Sequence, residues 1–166
     1  TLSGAFGALT LGAVEIGSGI RGLAQAGAPV NNMEGEVLAG AANFDLVGYG
    51  VKMGDVTISA SITENGGAPA LADGMSTGQG VGTTVGVAYA SGAVAAKLDT
   101  TSASNAAAGK MDSRYRVSAS YDLGVAKVGA GFENQKLMGG GNNKYTMVGL
   151  SAPLSSALTV GVVWVK

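Results

Sequence analysis

The segment that decides the fold is Asp55-Val56-Thr57-Ile58-Ser59-Ala60-Ser61-Ile62-Thr63. Val56, Ile58, Ala60 and Ile62 are apolar, whereas Thr57, Ser59, Ser61 and Thr63 carry hydroxyl groups. Because successive side chains of a β-strand point to opposite faces, the segment predicts a strand with one apolar face and one hydroxyl-lined face. The apolar face would meet a core in a soluble sandwich. In a transmembrane barrel it would meet lipid, and the hydroxyl face would line a water-filled lumen.

The composition favours lipid as the environment of the apolar faces. The chain has 166 residues, the length of one domain, of which 46% are hydrophobic, 5% aromatic and 13% charged. Soluble domains usually carry about 25% charged residues, so the exterior is poor in charge for a surface that meets water. The net charge of −1, without a basic cluster, argues against a nucleic-acid partner.

Catalysis is not indicated by any residue pattern. His and Cys are absent, which excludes imidazole and thiol chemistry, most zinc sites and disulfides. The chain also lacks a phosphate-binding P-loop, because the glycine run at 139–141 precedes no predicted helix. We therefore expect a protein that is not an enzyme and needs no cofactor.

Period-two alternation recurs along the chain and predicts about nine strands, an all-β architecture. The clearest further segments are 81–89, 94–99, 114–121, 126–133 and 158–164, and weaker alternation covers 4–14, 43–51 and 144–152. Many of these segments have about nine to eleven residues, the length that a tilted strand needs to cross a bilayer.

The predicted connectors alternate between short and long. Short turns are expected at 52–55, 91–92, 122–124 and 153–156, and long connectors at 16–42, 64–80, 102–111 and 134–143. An antiparallel up-and-down meander with its short turns at one end gives this alternation, as in transmembrane β-barrels. A Greek-key sandwich has no reason to show it.

Aromatic side chains are expected near both ends of the apolar faces. Tyr89 and Tyr121 precede short turns, whereas Phe132 and Trp164 lie near the opposite strand ends and Tyr115 follows a long connector. Aromatic bands at the two membrane interfaces have this distribution. A sandwich with aromatics at its two open ends is the alternative.

The charged residues of the strands fall on the polar faces. On a soluble protein they would be solvated surface charges, whereas in a barrel they would line the lumen and bias ion passage. The predicted lumen-lining residues are Thr57, Ser59, Ser61, Thr63, Lys97, Asp99, Arg114, Arg116, Ser118, Lys127 and Glu133.

The longest connector, 16–42, contains Arg21, Glu34 and Glu36 among small residues. A connector of this length needs a functional role or is disordered, and its small residues would let it fold inside a barrel. A flexible external loop is the alternative. Glu34 and Glu36 with Asp45 could also bind a hard cation such as Ca²⁺, although scattered carboxylates are usually only solvated.

The opening segment Leu2-Ser3-Gly4-Ala5-Phe6-Gly7-Ala8-Leu9-Thr10-Leu11-Gly12 resembles the Gly-Phe-Gly-x-Leu-x-Leu-Gly strand of the general porins of Gram-negative bacteria. In that family the strand leads into a loop that folds into the lumen and narrows the pore. The resemblance therefore implies that 16–42 is the constriction loop, with Arg21, Glu34 and Glu36 as constriction residues.

The resemblance also implies a homotrimeric, multi-pass barrel in the outer membrane, in contact with lipid and lipopolysaccharide, that passes small hydrophilic solutes and ions. Family members have about sixteen strands and end in an aromatic residue, whereas this chain ends in Val163-Trp164-Val165-Lys166. Residues 1–166 are therefore expected to be one incomplete barrel segment, internal to a porin. A secreted or surface-attached β-rich adhesin without a pore is the alternative from another class.

Overall fold

The computed structural model describes residues 1–16, 26, 42–65, 80–104 and 111–166. These residues form ten β-strands, and none of the described residues forms a helix long and apolar enough to cross a membrane. The strands are β1 (Leu2–Gly4), β2 (Gly7–Ile16), β3 (Ala42–Met53), β4 (Val56–Asn65), β5 (Gly80–Ser91), β6 (Val94–Ser104), β7 (Met111–Asp122), β8 (Lys127–Leu137), β9 (Asn142–Pro153) and β10 (Thr159–Val165).

All ten strands belong to one sheet, in which each strand is hydrogen-bonded antiparallel to its neighbours in sequence. This order confirms the predicted all-β, up-and-down architecture. The described part of the sheet is open, with β1 and β10 as its edges.

The predicted strand over 4–14 corresponds mainly to β2, and the short strand β1, which includes only Gly4 of that segment, raises the count from about nine to ten. The chain turns at Ala5 and Phe6, and the Tyr49 hydroxyl donates a hydrogen bond to the Phe6 carbonyl. Gly7 permits this turn because its φ is 109° and because a Cβ atom there would lie 2.4 Å from the carbonyl oxygen of Gly50. Alternation alone does not show this break, because the apolar pattern continues through it.

All four predicted short turns are present near their predicted positions, at 54–55, 92–93, 123–126 and 154–158. The prediction of a long connector over 134–143 is wrong, since β8 continues to Leu137 and β9 begins at Asn142. Gly139, Gly140 and Gly141 have φ values of 88°, 108° and 97°, which lets the chain reverse within a few residues. The other predicted long connectors lie mainly at 17–41, 66–79 and 105–110, outside the described residues except for Ala26.

The sheet has an apolar face with many exposed side chains, which we call the outer face, and a polar face with many buried side chains, which we call the inner face. Large apolar side chains along one face are exposed, among them Leu11, Val47, Ile62, Leu98, Val117 and Val162. Among the described residues the buried hydrophobic side chains are only Ala26, Met111 and Met147, whereas ten polar or charged residues are buried. Burying an aliphatic side chain is worth about 1.5–3 kcal/mol, so an exposed face of this kind suits lipid and not water.

Candidate pore wall

The register of the strands arranges the polar side chains of the inner face in rows that run across the sheet. In one row Asp99 of β6 is paired with Arg116 of β7, which is paired with Glu133 of β8. In the adjacent row Thr101 is paired with Arg114, which is paired with Gln135. The rows lie about 7 Å apart, because residues two positions apart share a face. These side chains, Asp99, Thr101, Arg114, Arg116, Glu133 and Gln135, form what we call the charged wall.

A buried ion pair joins β6 and β7 in the charged wall. The Arg116 Nε atom donates to Asp99 Oδ1 at 2.6 Å, and Lys97 Nζ lies 3.5 Å from Asp99 Oδ2. Arg116 is 7% exposed and Asp99 is 3% exposed. A hydrogen bond between two ionised groups at this distance is among the strong ones, and the two charges neutralise each other within the wall.

Glu133 and Gln135 form the second polar contact of the charged wall. They share a face of β8, and Gln135 Nε2 donates to Glu133 Oε1 at 2.6 Å. Glu133 is 1% exposed, and its Oε2 atom accepts no hydrogen bond from the described residues. In the row that contains Gln135, on the other side of Arg114, the hydroxyl groups of Thr84 and Thr101 lie 2.9 Å apart across β5 and β6. The charged wall is therefore packed and closed to solvent.

The inner face of β4 is more open than the charged wall. Ser59 is exposed, Thr57 and Ser61 are half-buried, and Thr63 is buried with its hydroxyl donating to the Gly82 carbonyl at 3.3 Å. Their strand partners on β3 include Gly48 and Gly50, which add no side chain to the same face. We call Thr57, Ser59 and Ser61 the hydroxyl wall.

A third part of the inner face, on β7, β8 and β9, consists of small buried residues. These residues, which we call the small-residue wall, are Ser118, Ser120, Gly129, Gly131, Gly149 and Ser151. The Ser151 hydroxyl donates a hydrogen bond of 2.5 Å to the carbonyl of Ala26, which is 2% exposed and has φ of 53°. Ala26 belongs to the connector between β2 and β3, so at this residue the connector contacts the inner face of β9. Sequence reasoning did not find Ser151, because its partner lies 125 residues away.

The inner face of β9 and β10 is apolar at its centre. Met147 is fully buried and packs against Tyr145, Val163 and Val165, all of which share its face by register. Met111 is also fully buried, since a register irregularity between Met111 and Ser113 brings it opposite Leu137. None of these residues is among the predicted lumen-lining residues.

The register places all the predicted lumen-lining residues on the same polar face of the sheet, and their contact with a lumen stays a prediction. Their accessibility differs: Asp99, Arg114, Arg116, Ser118, Glu133 and Thr63 are buried, whereas Lys127 is exposed. Lys127 Nζ lies 3.9 Å from Asp122 Oδ2, and both side chains are about half exposed. The predicted constriction residues Arg21, Glu34 and Glu36 lie outside the described residues.

The five predicted interface aromatics lie on the outer face. The prediction that Phe132 lies near a strand end is wrong, because β8 continues to Leu137 and Phe132 is in the middle of its 11 residues. Tyr89 and Tyr121 are exposed near the short turns, and Tyr115 and Trp164 are exposed near the opposite ends. The Phe132 ring packs against the Tyr115 ring with centroids 5.9 Å apart and an interplanar angle of 45°. Tyr49, also exposed on the outer face, adds to the band near the short turns. Exposed aromatics toward both ends of the strands are typical of membrane interfaces, and their contact with the interfaces stays a prediction.

The described residues contain no group of three carboxylates close enough to hold a metal ion. Asp45, one of the carboxylates considered for Ca²⁺, is exposed and is paired by register with Glu64. Glu34 and Glu36 are not described, so the Ca²⁺ hypothesis is untested.

An antiparallel meander with an apolar outer face, two aromatic bands and a polar inner face has the wall structure of a transmembrane β-barrel. The profile of the Gram-negative porin family matches residues 1–166, and the chain therefore belongs to that family, which is a family of channels. This match confirms the resemblance of the opening strand. No curated protein and no solved structure matches the chain.

Proposed function

We propose that this protein is a passive diffusion channel of the outer membrane for small hydrophilic solutes and ions. The observation that carries the proposal is the inverted distribution of side chains, with exposed aliphatic residues outside and ionised or hydroxyl-bearing residues inside. Such a wall lets polar solutes cross while the outer face stays in lipid. The described residues show no nucleophile–base pair, and the family is one of channels, so we propose no enzymatic activity.

We further propose that the connector between β2 and β3 folds into the lumen and narrows it. Support comes from Ala26, which is buried and accepts a hydrogen bond from Ser151 on the inner face of β9. A connector that passed outside the barrel could not make this contact. In this proposal Arg21, Glu34 and Glu36 set the charge of the narrowest part of the pore.

The assembly proposed is a homotrimer surrounded by outer-membrane lipid and lipopolysaccharide. Porins typically form oligomers, which supports an oligomer but gives no number of subunits. The exposed aliphatic residues of the outer face, such as Val47 and Leu98, supply surface both for lipid and for contact between subunits.

The channel proposal is tested by conductance of the purified full-length protein in planar bilayers. We expect stepwise increases in current that scale with salt concentration, because ions would cross a water-filled lumen. The control is the same protein unfolded by heat before it is added, which should give no steps. Absence of steps from folded oligomers would reject the channel.

A further inference from the structure

The inner face offers two polar surfaces that differ in their access to solvent. In the charged wall, Asp99, Arg116 and Glu133 are 3%, 7% and 1% exposed. In the hydroxyl wall, Ser59 is exposed and Thr57 and Ser61 are half-buried. A solute in the lumen can touch only those side chains that solvent reaches, so the two walls do not contribute equally to a pathway.

Two charges of the charged wall, Asp99 and Arg116, are also engaged with each other. Arg116 is held by Asp99 at 2.6 Å, and Asp99 has a second cation in Lys97 at 3.5 Å. Separating such an ion pair is unfavourable because it leaves a buried charge without its partner. A passing solute does not offset that cost. The charged wall therefore behaves as a support of the barrel and not as a surface that binds solutes.

Ala26 lies on the side of the inner face that is closed to solvent. The hydrogen bond between Ala26 and Ser151 places Ala26 against β9, at a residue of the small-residue wall. Neighbouring strands are about 4.8 Å apart, so β4 lies roughly 24 Å from β9 along the curve of the sheet. The described contact of the connector is therefore with β9 and not with the hydroxyl wall.

We propose that solutes cross the channel along the hydroxyl wall of β4, at Ser59 and Ser61, and not along the charged and small-residue walls. The inference rests on the proposed channel function. Hydroxyl groups donate and accept hydrogen bonds without carrying charge. This surface therefore keeps the pathway hydrated and does not select strongly between cations and anions.

Cysteine accessibility tests this pathway, because the natural chain contains no cysteine. Ser59→Cys and Ser61→Cys are compared with Ser118→Cys and Ser120→Cys, which make the same chemical change on the closed side. Each full-length variant is treated with a cationic methanethiosulfonate reagent while single-channel current is recorded. Ala60→Cys, one residue from Ser59 on the outer face, controls for labelling from lipid.

We expect the cysteines at 59 and 61 to react about tenfold faster than those at 118 and 120, because a thiol must be exposed to react, and their reaction to lower the conductance. Equal or faster reaction at 118 and 120 with loss of conductance would overturn the pathway. Complete modification at 59 and 61 with unchanged conductance would overturn it as well. If the unsubstituted protein gives no current, the channel function itself is wrong, which separates the two failures.

Discussion

The inner faces of β4 and β7 follow the same alternation, yet one is open and the other is closed. β4 presents Ser59 to solvent, whereas β7 buries Arg114, Arg116, Ser118 and Ser120 in succession. The long side chain of Arg116 on β7 reaches Asp99 on β6, and the shorter hydroxyls of β4 face glycines on β3. Alternation thus assigns a side chain to a face, and its neighbours decide whether that side chain meets water.

The largest effect is expected from breaking the buried ion pair of the charged wall. Arg116→Ala leaves the Asp99 carboxylate buried without its closest cation, and the free energy of unfolding should fall by about 3–5 kcal/mol. Denaturant titration in lipid vesicles measures this loss. The matched control is Lys127→Ala, which removes an exposed pair with Asp122 and should cost less than about 1 kcal/mol. Similar losses for the two variants would show that the charged wall is not a structural support.

A second expected effect separates the two faces of β4. Ala60→Lys places an ammonium group on the outer face, and the free energy of unfolding in lipid should fall by about 2–4 kcal/mol near the bilayer midplane. Ser59→Lys, on the adjacent residue, places the same group on the open inner face and should change the stability by less than about 0.5 kcal/mol. Unfolding in vesicles compares the two, and equal losses would contradict an outer face that meets lipid.

The smallest expected effect concerns the contact of the connector with β9. Ser151→Ala removes the hydroxyl that donates to Ala26 and should lower the free energy of unfolding by about 0.5–1.5 kcal/mol. The current through open channels should also become noisier, because the connector would be held less firmly. Ser120→Ala is the control, since it removes a buried hydroxyl of the same wall without removing the contact to Ala26. A Ser151→Ala variant with unchanged noise and stability would show that this hydrogen bond does not position the connector.

Most of the fold was predictable from local pattern. The period-two alternation placed β4 to β8 and the face of each side chain, because that period follows from the geometry of a single strand. The break at Ala5 and Phe6 and the short turn before β9 were not predicted. The first depends on the contact of Gly7 with Gly50 on another strand, and the second on three glycines in an unusual backbone conformation.

The candidate pore wall was predictable only in part. Placement of Asp99, Arg116 and Glu133 on one face followed from their spacing, whereas their mutual pairing depends on the register of three strands. The contact of Ser151 with Ala26 joins residues 125 positions apart, and no local signal marks it. Met147, apolar in the middle of a polar face, also follows from packing against β10 and not from its own strand.

The sequence alone determined that the chain forms antiparallel strands with an apolar face and a polar face, and its opening strand indicated the porin family. Both properties are encoded locally, in alternation and in a short motif. Only the tertiary structure decided that the charges of β6 to β8 are buried against each other and that the hydroxyls of β4 remain open. The physical reason is that the solvent accessibility of a side chain depends on which strands become neighbours and on what covers them. The sequence of a single strand encodes neither.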